Sequence, residues 1–207
     1  MKSLIASTSV WLLLTLALPA GATVIDFEAQ AAGRGGSLTG IPDSPFTIGI
    51  AALTGGELLH GEINLPADQT GVYATEGLFG SDTNPLVIHF AVPVSGFSVF
   101  IANGDSANQT YTVSDDLGHT TSVMLALSGS ISNSARTVSL PGDGITTVSI
   151  TSANADFWNF AIDNVTFEAV PEPEPTLLVL GGLALTIWCG GNLRSPQVRL
   201  QKASRLS

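Results

Sequence analysis

Between residues 23 and 169, apolar side chains recur at every second position in short runs, with no stretch at the spacing of an amphipathic helix. Leu86, Ile88 and Phe90 alternate with Val87, His89 and Ala91, and Phe97, Val99 and Ile101 repeat the pattern. β-Branched residues are frequent in the runs, and Gly, Pro, Asn and Asp separate them. A strand of this kind buries one face, so the runs must close over a shared core. The spacing predicts strands over 24–28, 46–53, 58–60, 85–92, 96–102, 109–113, 119–127, 136–140, 145–151 and 157–167. Pro93 is expected to end the fourth of these, 29–45 to be a long loop, and 54–84 to be irregular apart from 58–60. Asn103-Gly104-Asp105, Asp115-Asp116-Leu117-Gly118 and Pro141-Gly142-Asp143-Gly144 read as turns. The expected fold is all-β, an antiparallel β-sandwich of jelly-roll type, with a closed barrel as the alternative.

The two ends of the chain read differently. Lys2, the apolar run Val10 to Leu18 and the small residues Ala20-Gly21-Ala22 have the form of a signal peptide over residues 1–22. Residues 170–175 hold Pro171-Glu172-Pro173-Glu174-Pro175, in which each proline removes a backbone donor and the glutamates stay hydrated, so an extended spacer is expected. A transmembrane helix is expected over 176–193. Its uncharged stretch Thr176 to Gly191 would span roughly 24 Å as a helix, against a hydrocarbon core of about 30 Å. Residues 194–207 carry Arg194, Arg199, Lys202 and Arg205 and are expected on the cytoplasmic side. The exported domain is then residues 23–169.

The ordered triplet of a Pro-Glu-Pro motif, an apolar helix and a basic tail resembles the PEP-CTERM sorting signal of Gram-negative, exopolysaccharide-producing bacteria. The resemblance implies that an exosortase, a membrane cysteine protease, recognises Pro171, Glu172, Pro173, Glu174 and Pro175 and cuts nearby. It also implies export through the inner membrane, a transient membrane anchor, and delivery to the cell surface or extracellular matrix.

Composition narrows what the domain can do. It carries fifteen Asp and Glu against two cations, Arg34 and Arg136, so its net charge is near −13. A nucleic-acid partner needs a basic footprint and is excluded. The one cysteine, Cys189, lies in the apolar tail, so the domain has no disulfide, cysteine nucleophile or cysteine metal site. It has no lysine for a Schiff base. The histidines, His60, His89 and His119, are widely spaced, with no HExxH, and no GxSxG occurs. Asp115-Asp116 reads as turn chemistry rather than as a catalytic carboxylate pair.

The opening run Ile25-Asp26-Phe27-Glu28 and the closing run from Trp158 to Phe167 are expected to pair, which would bring Asp26 or Glu28 toward Asp163. Two-residue spacing places Trp158, Phe160, Ile162 and Asn164 on one face of the closing strand and Asn159, Ala161, Asp163, Val165 and Phe167 on the other. The pattern resembles the β-sandwich ectodomains of PEP-CTERM proteins and jelly-roll carbohydrate-binding modules with a structural Ca²⁺ between first and last strands. That resemblance implies Glu28 and Asp163 as calcium ligands, with Asp26 a weaker candidate, in keeping with the preference of Ca²⁺ for oxygen donors. Trp158, the one tryptophan of the domain, with Asn159 beside it, is the candidate platform for a sugar ring. The expected function is that of a non-enzymatic surface or matrix protein that associates with extracellular polysaccharide. A structural or adhesive domain that contacts proteins is the alternative, and a secreted hydrolase ranks behind both.

Overall fold

Pro93 does not end a strand. In the computed structural model, which describes residues 21–36, 45–60, 71–76, 85–127, 133–153 and 159–171, the two runs around it form one strand of 18 residues, β6 (Leu86–Asn103). Around it lie β1 (Thr23–Ile25), one turn of helix α1 (Glu28–Ala31), β2 (Phe46–Ile48), β3 (Ala51–Thr54), β4 (Glu57–His60), β5 (Gly71–Glu76), β7 (Gln109–Asp115), β8 (Thr120–Leu125), β9 (Ala135–Ser139), β10 (Asp143–Ser152) and β11 (Asn159–Ala169). The chain divides into two compact units, Met1–Val170 and Pro171–Ser207, and all these elements belong to the first. Most of the expected signal segment, Glu172 to Pro175, the expected membrane helix and the basic tail lie outside the described residues. No helix among the described residues is long and apolar enough to cross a membrane.

Every pairing among the described strands is antiparallel, and they join in one curled sheet with the path β4-β5-β11-β6-β10-β7-β8. The early part of β6 pairs with β3 and β10, and the later part with β9 and β11. β11 replaces β3 around Pro93, while β10 keeps its pairing as far as Ser95 and β9 begins at Ser98. Val94 faces Ile145 and His89 faces Thr147, so the four residues 90–93 lie opposite Thr146 alone. A bulge of this size accepts proline, because no ladder N–H is required of it. The Pro93 carbonyl is used instead, accepting the Val170 N–H at 2.9 Å.

The expected pairing of first and last strands is present: Thr23, Val24 and Ile25 lie opposite Phe167, Thr166 and Val165. The opening strand is shorter than expected, however. It stops at Ile25, because Phe27 turns into the left-handed region at φ 57° and starts α1, whose Ala31 N–H bonds the Phe27 carbonyl at 2.8 Å. Gly71 makes the close approach possible. A Cβ there would stand 2.7 Å from Glu28 Cα, so only glycine lets β5 pass this corner. Strand 46–53 also differs, folding instead as the hairpin β2–β3 about Gly49-Ile50.

The closing strand corrects a second expectation. Phe160, Ile162, Val165 and Phe167 all reach the same core, although a strict two-residue period puts the last two on the opposite face. A β-bulge between Asp163 and Thr166 inserts one residue, and Asn164 takes φ 47° to accommodate it. Side chains after the bulge therefore change face. The core so assembled draws on nearly every strand, with Phe90 against Phe167 (4.9 Å between ring centroids) and Tyr111 against Phe160 (5.0 Å). Each such ring contributes roughly 2–3 kcal/mol by leaving water. Leu59, Val72, Ala74 and Ala161 form a second, smaller cluster, and they alternate along their strands with residues of the main core. β5 is thus buried on both faces. It lies in the stretch expected to be irregular, where its mixed run Gly71-Val72-Tyr73-Ala74-Thr75 shows no alternation of polar and apolar residues.

Candidate functional site

The acidic residues expected to bind calcium occupy the corner where β1 ends beside the β11 bulge. Asp26 is exposed, and its Oδ1 accepts the Glu28 N–H at 3.3 Å. Glu28 is the first residue of α1, not a strand residue, and its Oε1 accepts the Gly71 N–H at 2.9 Å. Asp163 is 2% exposed; Asn164 donates its N–H to Oδ1 at 2.7 Å and its Nδ2 to Oδ2 at 3.4 Å. The carboxylates thus hold the corner's irregular backbone in place. No group of three His, Cys, Asp or Glu among the described residues is gathered to hold a metal ion. Trp158 lies outside the described residues. Asn159 opens β11 opposite Glu76, and Pro171 is exposed at the end of the described chain.

Asp115 and Asp116 do turn work. Asp115 Oδ1 accepts the N–H groups of Leu117 (3.0 Å) and His119 (2.8 Å), and its Oδ2 lies 2.7 Å from His119 Nδ1. Asp116 reaches β10, where it accepts the N–H groups of Thr146 and Thr147 and the Thr146 hydroxyl. Partial burial alone would raise its pKa, but these bonds to the charged form outweigh that and lower it.

A different feature has the form of a ligand site. Where β8 ends and β7 and β9 begin, an open cleft of about 320 Å³ is lined by Asn108, Met124, Leu125, Ala126, Asn133, Ala135 and Arg136. One buried side chain, Asn103, ties the lining residue Ala126 to the turn before β7. The Asn103 amide donates to the carbonyls of Ala107 (2.9 Å) and Ala126 (2.7 Å). Its Oδ1 accepts the Asp105 N–H (2.9 Å) and the Tyr111 hydroxyl (2.8 Å). Further ties brace the rim: Ala126 N–H to Asn133 O at 2.9 Å, Leu127 N–H to Asn108 Oδ1 at 3.0 Å, and Gln109 Nε2 to Asp105 Oδ2 at 2.7 Å. Burial, then the Asp105 charge, push the Tyr111 phenol far above its usual pKa, so it remains a donor to Asn103.

The walls combine two chemistries. Asn108, Asn133 and Arg136 supply amides and a guanidinium, while Met124, 73% exposed, together with Ala126 and Ala135, supplies apolar surface. Arg136 forms no ion pair and no side-chain hydrogen bond with the described residues. It is the one charged residue among the described residues of the lining. The sequence does not mark this cleft. Asn103 reads as a turn residue, Asn108 carries no signal, and Arg136 is visible in the sequence as one of the domain's two cations.

No family model matches the chain, and no curated protein does. Solved structures do show a likeness. Over 59% of this chain and 26% of that one, it is similar to the CBM22-1–GH10 modules of a Clostridium thermocellum xylanase complexed with xylohexaose (14% identity, TM-score 0.35). Over 73% of this chain and 95% of that one, it is similar to a CBM35 from Cellvibrio japonicus Abf62 (14% identity, TM-score 0.37). A likeness of the same order is found to the K3 adhesin domain of Lys-gingipain from Porphyromonas gingivalis, with 16% identity, TM-score 0.35, and 73% and 93% of the two chains covered. The chain thus spans about a quarter of the xylanase structure and nearly all of the two single modules.

Proposed function

We propose that this chain is a non-enzymatic exported protein that associates with extracellular polysaccharide through a jelly-roll-like β-sandwich, reached by exosortase sorting through the Pro171–Pro175 motif. The observation that carries the glycan reading is the cleft at the β7–β8 end. Amides beside apolar patches suit a sugar, whose hydroxyls need donors and acceptors and whose C–H faces need apolar contact. The exchange of partners along β6 supports a sandwich, since its two parts belong to different sets of strands. The signal-like start and the Pro-Glu-Pro, apolar and basic triplet support the delivery route and a transient membrane anchor.

The test is a glycan array with the purified protein, followed by pull-down on extracellular polysaccharide. Specific glycan binding is expected, with Trp158→Ala weakening it several-fold if the indole stacks on a sugar. Binding unchanged by that substitution removes Trp158 as the platform and leaves the cleft; no binding to any glycan overturns the reading. The exposed Met124, Leu127 and Leu117 favour a second reading, a protein-contact or self-associating domain. Concentration-dependent oligomers without glycan binding would establish it.

Structural calcium at Glu28, Asp163 and Asp26 belongs to the same proposal. What supports it is donor type alone, carboxylate oxygen in a domain without cysteine, since the described residues do not gather the three carboxylates into one group. Calcium is then expected to raise the melting temperature by several degrees at millimolar concentration, through mass action on the native state, and Glu28→Gln is expected to abolish the rise. No heat on titration and no thermal shift would end this part of the reading.

A further inference from the structure

We infer that the cleft selects a carboxylated sugar, a uronic acid residue of an acidic polysaccharide, with Arg136 gripping the carboxylate and Asn108 and Asn133 the ring substituents. This rests on the glycan reading above and goes beyond it in naming the class of ligand. The argument begins with charge. The domain holds fifteen carboxylates and two cations, so an arginine at random on its surface finds an acidic partner readily. Arg136 finds none among the described residues. It sits instead on the edge strand β9, exposed, in a cleft with no Asp or Glu among its described lining residues. A guanidinium presents parallel N–H donors that match the two oxygens of a carboxylate, and no carboxylate among the described residues competes for them.

The surroundings fit the rest of a sugar ring. Asn133 has no side-chain partner in the described structure, so its amide is available to a hydroxyl. Asn108 uses Oδ1 for the Leu127 N–H, which leaves its Nδ2 hydrogens to donate. Met124, Ala126 and Ala135 offer the apolar contact. The overall negative charge does not forbid an anionic ligand. At physiological ionic strength, charges more than about 8 Å away are largely screened, whereas a direct Arg–carboxylate contact is not. The net charge instead makes binding selective, because a polyanion gains nothing elsewhere on the domain.

The test uses the purified full-length protein and a panel of uronate-containing oligosaccharides, each paired with its carboxyl-reduced counterpart. At least one uronate is expected to bind roughly tenfold or more tightly than its reduced form, and Arg136→Gln is expected to erase that difference through a loss of roughly 10- to 100-fold. Arg136→Lys, which keeps the charge without the fork, is expected to fall between. Unchanged melting temperatures in both variants confirm that the fold is intact. Equal binding of uronate and reduced sugar, or an Arg136→Gln variant that binds uronate like the original, overturns the inference and leaves the glycan reading standing. Binding to no glycan overturns both. Equal binding to polyglutamate identifies an acidic protein as the ligand and overturns the inference as well.

Discussion

Asn103→Ala is expected to lower the melting temperature by about 10 °C, from a loss of ~3 kcal/mol in a domain of this size. The side chain is 4% exposed and satisfies four groups: the carbonyls of Ala107 and Ala126, the N–H of Asp105 and the hydroxyl of Tyr111. Deletion removes all four bonds at once. Water can reach the loop groups, but the Tyr111 hydroxyl is buried, and an unpaired buried hydroxyl costs about 1–3 kcal/mol. That buried pair supplies the decisive control. Tyr111→Phe is expected to destabilise the original protein, yet to stabilise Asn103→Ala or leave it unchanged, because it deletes the group left without a partner. Additive losses in thermal unfolding of the four proteins would mean that the two side chains are not coupled. The same substitution loosens the cleft lining at Ala126, so glycan affinity should fall with stability, whereas Arg136→Gln should change affinity alone.

The contrast between these two residues shows what the sequence discloses. Arg136 stands out on composition, being one of two cations among fifteen carboxylates, but only its lack of a partner among the described residues marks it as available. Asn103 gives no sign, because Asn-Gly-Asp is an ordinary turn sequence and its partner Ala126 lies 23 residues away. The strands divide on the same principle. β6, β7 and β10 bury one face over most of their length, so the alternation that predicts them is also what packs them. β5 is buried on both sides, so no alternation remains to be read. The pairing of β1 with β11 follows from two similar acidic-apolar runs at the ends of the domain. The β11 bulge does not follow, since Asn164 at φ 47° is a choice made by the surrounding sheet. One inserted residue then moves Val165 and Phe167 to the core face.

At the β1–α1 corner, Phe27 should show an inverted order of substitution. Its ring is fully buried and stacks at 6.1 Å on Tyr73 and 6.4 Å from Phe46. Phe27→Ala is expected to cost about 4 kcal/mol, a large share of the 5–15 kcal/mol that holds a typical domain folded. Glycine normally destabilises a buried position further, by about 0.5–1 kcal/mol relative to alanine, and Phe160→Gly should do so in β11. At Phe27 the backbone is left-handed, which costs an L-residue about 1–2 kcal/mol and glycine almost nothing. Phe27→Gly is therefore expected to be more stable than Phe27→Ala by about 1 kcal/mol, while Phe160→Gly is less stable than Phe160→Ala. Denaturant unfolding of the four variants reads both differences directly. The same order at both positions would mean that the corner is not held left-handed. The Glu28 carboxylate would then not be fixed against Gly71, and the calcium proposal would lose the position of one of its proposed ligands.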